Sequence, residues 1–203
     1  MLYIFKLIFL TFLLQCQPLY SFALSVNDHR IAVLVNDQLI TSYDIVQRMK
    51  MNAIISGIDV TVQNNNQLTN SAIEELIREK LKYEKLNEYD ISVSNDEYLM
   101  HESIFYKNVP LNKKQVMELF EINKINYNEF RNYLIYEISW QKLVSGKYYR
   151  LTSTSEIEIE ELISKNPGIT RESAQDIIIQ KQLDLKSSKM IRDMLNEATI
   201  EYK

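Results

Sequence analysis

Few side chains in this sequence are suited to acid–base or metal chemistry. The chain has two histidines, His29 and His101, and each stands beside an acidic residue without a second ligand at metal-binding spacing. We expect both to be ordinary exposed or capped histidines. With three glycines and one cysteine, the sequence contains no glycine-rich phosphate loop, nucleophile elbow or CxxC pair. It therefore predicts no catalytic residues, no cofactor and no metal.

A run of acidic residues near position 160 is the densest concentration of carboxylates in the chain. These acids alternate with isoleucines, a pattern that suits either a strand or a helix. Closely spaced acids usually form a solvated face, and we interpret this run in that way and not as a catalytic carboxylate pair. The residues concerned are Glu156, Glu158, Glu160 and Glu161.

Aromatic residues give the more informative pattern. At 100° per residue, the helix predicted after Asn126 carries an apolar stripe through Phe130 and a second stripe beside it. The helix either packs on two sides or presents its second stripe to a groove that takes extended apolar segments. Aromatic rings suit such a groove because they combine a large contact area with a polar tip. The candidate binding residues are Phe105, Tyr106, Phe120, Tyr133, Tyr136 and Trp140.

Extended segments are predicted at the two ends of the chain. The β-branched run 31–35, the turn residues Asn36 and Asp37 and the run 38–41 predict a short hairpin. Residues 198–203 alternate like a strand.

Pairing of the terminal strands follows as a structural hypothesis. If residues 199–202 pair with 31–35, the alternation of Ile200 and Tyr202 sets the register. The predicted fold is mainly α, with a short N-terminal hairpin and a C-terminal strand that pairs with it.

Capping signals and apolar spacing predict six or seven helices between these strands. Ser94 with Glu97 and Asn126 with Glu129 form capping boxes, and the polar run 63–67 predicts a loop. The predicted helices run from 41 or 42 to about 55, from 70 or 71 through 81, from 94 to about 107, from 112 to 122, from 127 to about 144, where Gly146 helps to end the helix, from 156 to 165 and from 170 to about 196.

The first 23 residues have the anatomy of a secretory signal peptide. Lys6 precedes the apolar run 7–14, and small residues stand at the first and third positions before a cut after Ala23. An uncleaved membrane anchor is the alternative, but the run is shorter than the roughly 20 apolar residues that a span needs. Lipidation of Cys16 is a minor alternative, since no small residue precedes it. We expect export to the periplasm.

The exported chain, residues 24–203, is acidic and lacks cysteine. Without Lys6, 22 basic residues face 27 acidic ones, for a net charge near −5. This balance argues against nucleic-acid binding, which requires clustered Lys and Arg. No disulfide can form, and a chain of this length can build a core without one.

Four segments in order resemble the SurA family of periplasmic chaperones. IAVLVNDQLITSYDI at 31–45 is similar to the family's opening strands and first helix. Residues 72–91, a helix followed by Ile-Ser-Val-Ser, are similar to the step before its next helix. YNEFRNYLIYEISWQKLV at 127–144 and the segment 177–202 are similar to later helices and the terminal strand.

One departure from the family bears on function. SurA proteins carry parvulin-type prolyl isomerase domains between the connector helix and the last helix, where this chain has only about 166–170. The resemblance therefore implies a chaperone core over 24–203, with parts 24–165 and 170–203, and no isomerase domain.

The function implied is ATP-independent binding of unfolded outer-membrane proteins or aromatic-rich extended peptides, without nucleic acid or stable membrane insertion. No oligomeric state is predicted. Two alternatives remain: a prolyl isomerase-family protein with residual activity, and a secreted interaction protein with one dedicated partner.

Overall fold

A computed structural model describes residues 29–203, so the predicted signal peptide at 1–23 lies outside the described residues. The described chain is mainly helical, with seven α-helices and a small antiparallel sheet formed by strands from both ends, as predicted. The elements are β1 (Ile31–Val35), β2 (Gln38–Thr41), α1 (Ser42–Ser56), α2 (Asn65–Leu86), α3 (Asn95–Asn108), α4 (Lys113–Ile122), α5 (Tyr127–Tyr148), a 3₁₀ turn (Tyr149–Leu151), α6 (Glu156–Lys165), α7 (Arg171–Glu197) and β3 (Ile200–Tyr202).

Side-chain caps fix most helix starts. The Ser94 side chain accepts from the Glu97 backbone N–H, and the Glu97 carboxylate accepts from the Ser94 N–H, which confirms that capping box. The box predicted at Asn126 is wrong. Asn126 caps α5 by accepting from the Asn128 N–H at 2.9 Å, one residue earlier than a box requires, and the Glu129 carboxylate makes no return bond.

Two helices are longer than predicted. α2 begins at Asn65, so the loop expected over 63–67 is wrong in its second half, because a hydrogen-bonded turn between Thr61 and Asn64 starts the helix there. α5 continues to Tyr148 and does not end near Gly146, because Val144 and Tyr148 pack in one apolar cluster with side chains of α7.

The terminal strands pair as predicted. The strand order is β2-β1-β3, and Val33 lies opposite Tyr202 and Val35 opposite Ile200 in an antiparallel register. The Asn36 N–H donates to the Thr199 carbonyl at 2.8 Å, and the Asn36 side-chain oxygen accepts from the Thr199 N–H at 3.0 Å. The first and last segments of the described chain therefore share one sheet.

The buried side chains form three groups. The first lies under the sheet, where Val33 and Ile40 pack on α1 and α2. The second surrounds Phe130 between α3, α4 and α5, and the third surrounds Trp140 between α5 and α7. α5 contributes to both of these groups and is packed on more than one side, as one of the two interpretations of its wide apolar arc expects.

α6 and α7 form a helical hairpin joined by a tight turn over residues 166–170, in which Gly168 has a φ of 105°. A left-handed φ of this kind favours glycine because it lacks a Cβ. Ile159 and Ala174 are buried, whereas Ile157 is 80% exposed. In residues 29–203, no helix is long and apolar enough to cross a membrane.

Candidate functional site

Three of the six predicted binding residues lie in the core around Phe130. Phe120 is 1% exposed and meets the Phe130 ring edge to face, with centroids 5.6 Å apart. Phe105 and Tyr106 are half-buried and pack on the same ring, with centroid distances to Phe130 of 5.2 and 6.4 Å. These rings form an aromatic cluster that holds α3, α4 and α5 together.

Trp140 is also a buried core residue. It is 2% exposed, and its indole N–H donates to the Ser187 hydroxyl of α7 at 2.8 Å. Leu143 and Leu183 pack in the same cluster. The structure therefore places Trp140 between α5 and α7, in a cluster against which Tyr136 also packs.

Tyr133 and Tyr136 are the two predicted residues that line a common concave surface. They form one wall of a cleft of about 300 Å³ where α1, α2 and α5 meet, which we call the α1–α2–α5 cleft. Tyr136 also packs edge to face on Tyr83, with centroids 5.3 Å apart. The other lining residues are Asp44, Gln47, Arg48, Met51, Leu76, Glu79, Lys80, Ile125, Glu129 and Asn132.

A buried ion pair lies inside this cleft. Arg48 is 8% exposed and forms a hydrogen-bonded ion pair with Glu79, and Glu75 lies 3.9 Å from the same guanidinium. The guanidinium also sits over the Tyr133 ring, 5.0 Å from its centroid. Burial raises the pKa of Tyr133 to about 12, and the Glu137 carboxylate adds to the shift, so this phenol stays neutral at physiological pH.

Gln47 is the unusual member of the cleft. It is 4% exposed, and neither its side-chain oxygen nor its side-chain nitrogen has a hydrogen-bond partner in residues 29–203. Three other buried polar side chains of this part of the chain are bonded, Arg48 to Glu79, Ser139 to the Ile135 carbonyl and Glu102 to three donors, whereas the buried Tyr106 hydroxyl also lacks a partner. A buried amide without partners is rare in proteins and calls for an explanation.

The sequence prediction missed both Gln47 and Arg48. A signal for each was present in the helical spacing, since Arg48 follows buried Ile45 by three residues and Gln47 precedes buried Met51 by four. Polar residues in register with an apolar stripe mark either a buried pair or a site.

A second, more open concavity lies beside α4. It has a volume of about 730 Å³ and an apolar floor that includes Phe120 and Ile125, with Met117 43% exposed at its edge. Lys113 and Tyr127 line it and also reach a buried carboxylate behind it.

That carboxylate is Glu102, which is 5% exposed on α3. It accepts from the hydroxyls of Tyr98 at 2.7 Å and Tyr127 at 2.6 Å, and from the Lys113 ammonium at 2.7 Å. Burial by itself raises the pKa of Glu102, but the three donors outweigh burial and hold the pKa below its ordinary value. Burial and the bond to Glu102 raise the pKa of Tyr98 to about 12. The group links three helices.

The histidines and the acidic run lie apart from these surfaces. His29 stacks beside Tyr43 with centroids 4.9 Å apart, and residues 29–203 contain no group of three side chains arranged to hold a metal. The four glutamates near position 160 are exposed on the helix α6, as a solvated face requires. Glu156 and Glu160 pair with Arg171.

Comparison with known proteins finds a distant relation. No protein-family model matches the chain. The chain is 21% identical over 164 residues to Chaperone SurA of Hydrogenovibrio crunogenus (strain DSM 25203 / XCL-2), a match that covers 80% of this chain and 36% of that protein. The chain thus spans about a third of the length of the curated relative that it matches. Similarity of this degree suggests at most a SurA-like chain.

Proposed function

We propose that this protein is an ATP-independent periplasmic chaperone that holds unfolded outer-membrane proteins in transit. The observation that carries the proposal is the similarity to Chaperone SurA over 80% of the chain, which supports a chaperone role in general terms. The outer-membrane clients and the periplasmic location are our extension, supported by the signal-peptide pattern of residues 1–23.

We propose that unfolded segments bind at the two concave surfaces described above. The α1–α2–α5 cleft has tyrosines on one wall, and the concavity beside α4 has an apolar floor. The cleft is small and the concavity is open, so we propose weak binding at several points along a client, which adds up to useful retention through effective concentration. The net negative charge helps to keep the complex in solution.

We further propose that the protein holds clients without catalysis. Release then depends on the client reaching a more stable folded state. This proposal separates it from a prolyl isomerase, for which the purified protein should accelerate cis–trans isomerisation of a proline-containing peptide. We expect no acceleration.

The test is suppression of aggregation. Several unrelated outer-membrane proteins, diluted from denaturant, should scatter less light when the purified protein is present. Suppression of none of them, with tight capture of a single folded partner, would refute the proposal and favour a dedicated interaction protein.

A matched pair of variants tests where clients bind. Tyr136→Ala removes a ring of the cleft, whereas Tyr149→Ala removes a ring that is 59% exposed outside it. We expect weaker suppression only from Tyr136→Ala, with thermal melting used to show that both variants are folded.

The proposed cleavage after Ala23 has its own test. Mass spectrometry of the exported protein should find Leu24 as its first residue.

A further inference from the structure

We propose that the α1–α2–α5 cleft binds the main chain of an extended peptide segment through the Gln47 carboxamide. This inference rests on the proposed chaperone function and deepens it. It assigns to the cleft a ligand class, a neutral extended polypeptide, and to Gln47 the role of bonding its backbone.

The unpaired state of Gln47 is the starting point. A glutamine side chain offers one carbonyl acceptor and two N–H donors. In Gln47 both polar atoms are buried and without a partner in residues 29–203, and the residue is part of the cleft lining. Burying an amide without hydrogen bonds is unfavourable, so a ligand that supplies both a donor and an acceptor recovers that free energy on binding.

The charges of the cleft disfavour an anionic ligand. The Arg48 guanidinium is already paired with Glu79, and Glu75 stands close by. Asp44 accepts from the Thr41 backbone N–H and hydroxyl at the start of α1. Glu129 adds a further carboxylate at the exposed edge, which disfavours phosphates and carboxylates. An anionic ligand is therefore disfavoured, and the unpaired Gln47 amide points to a neutral polar ligand.

An extended peptide has the matching polar groups. In a strand, the N–H and C=O of one residue point to the same edge, and those of the next residue point to the opposite edge. A carboxamide can therefore donate to the C=O and accept from the N–H of a single residue. This is the pairing by which strand addition gains affinity with little dependence on sequence.

The walls of the cleft suit the side chains of such a segment. Met51, Leu76 and Ile125 supply apolar surface, and Tyr133 and Tyr136 supply rings. A volume of about 300 Å³ is at the small end of ligand sites, so it takes a short stretch of chain and not a folded domain.

The experiment uses one short unstructured peptide with a single central phenylalanine, which fixes its register. Two further versions carry backbone N-methyl groups on alternate residues, one version for each edge of the extended chain. Affinities for the purified wild-type protein and for Gln47→Met are measured by fluorescence anisotropy. Methionine keeps the shape of glutamine and removes its hydrogen bonds.

We expect the wild type to bind one N-methylated version about tenfold more weakly than the unmodified peptide, the size expected for the loss of one or two hydrogen bonds. Gln47→Met should bind the unmodified peptide about tenfold more weakly and should not distinguish the three peptides. Gln141→Met, a change on the exposed face of α5, should behave as wild type.

Three results would overturn the inference: no binding of any peptide, equal binding of all three by the wild type, or retained discrimination in Gln47→Met. The aggregation assay gives an independent answer on function. Suppression without peptide discrimination refutes the role of Gln47 alone, whereas discrimination without suppression refutes the chaperone proposal and keeps the peptide site.

Discussion

Two buried polar side chains of similar exposure have opposite surroundings. Glu102 on α3 receives three hydrogen bonds from Tyr98, Tyr127 and Lys113. Gln47 on α1 receives none in the described part of the chain. Burial of a polar group therefore says little about its role, whereas its hydrogen bonds distinguish a group that holds helices together from one that is available to a ligand.

The regions around Glu102 and Gln47 differ in the same way. The Glu102 group joins α3, α4 and α5 behind the concavity beside α4, so the helices of that surface are held in place. The α1–α2–α5 cleft has its own ion pair, Arg48 with Glu79, but the Gln47 amide has no hydrogen-bond partner there. We expect mutations at the first position to alter mainly stability and mutations at the second to alter mainly binding.

Replacing Glu102 should have the largest effect. Glu102→Leu leaves the Tyr98 and Tyr127 hydroxyls and the Lys113 ammonium without their acceptor, and we expect the free energy of unfolding to fall by about 3 kcal/mol. Urea denaturation followed by circular dichroism measures the change.

The control for this change is Glu118→Leu. Glu118 is an exposed residue whose ammonium partner, Lys114, lies 3.8 Å away, and its replacement should change stability by less than about 0.5 kcal/mol. Equal losses in the two variants would show that the Glu102 bonds contribute nothing special.

Gln47→Met should change stability in the opposite direction. Removing a buried amide that lacks partners, without changing the volume of the side chain, should raise the free energy of unfolding by about 1 kcal/mol. The same urea titration detects this. A clear loss of stability would mean that the Gln47 amide has hydrogen-bond partners in solution. Gln47 and Glu102 would then not differ in the way described above.

A pH titration should separate the two positions by a smaller effect. The pKa of Glu102 is lowered by folding, so its contribution to stability is complete above its ordinary value of 4.5 and is lost as pH falls through the lowered value. The stability gap between wild type and Glu102→Leu should therefore shrink in strong acid. The gap for Gln47→Met should stay constant, because an amide does not titrate in this range. If the difference in free energy of unfolding between wild type and Glu102→Leu did not change with pH, the charge-based explanation would be wrong.

The helix starts and the extended character of the two end segments were predictable because they depend on local chemistry. Ser94, Asn112, Ser155 and Thr170 each accept a backbone N–H at the start of a helix. The first turn of α2 was not predictable from the run of asparagines, which favours loops, because its start depends on the turn made by Thr61.

The candidate site was only partly predictable for a physical reason. Helical spacing correctly puts Tyr133 and Tyr136 on one wall, yet it also groups Trp140 with them. Packing of α7 against that part of α5 buries Trp140, and no local pattern gives the position of α7. Gln47 lies where α1, α2 and α5 meet, and this meeting again depends on contacts distant in sequence.

The pairing of β1 with β3 has a consequence for the order of folding. During synthesis, β1 and β2 are made before the helices. A two-stranded ribbon is at best marginally stable by itself, so these strands do not form a stable sheet at that stage. The strand that completes the sheet, β3, spans Ile200–Tyr202 and follows all seven helices in the described residues. Closing a sheet over this sequence separation is slow. Pulse-labelling hydrogen exchange during refolding should therefore find the β1 amides protected after those of the central helices.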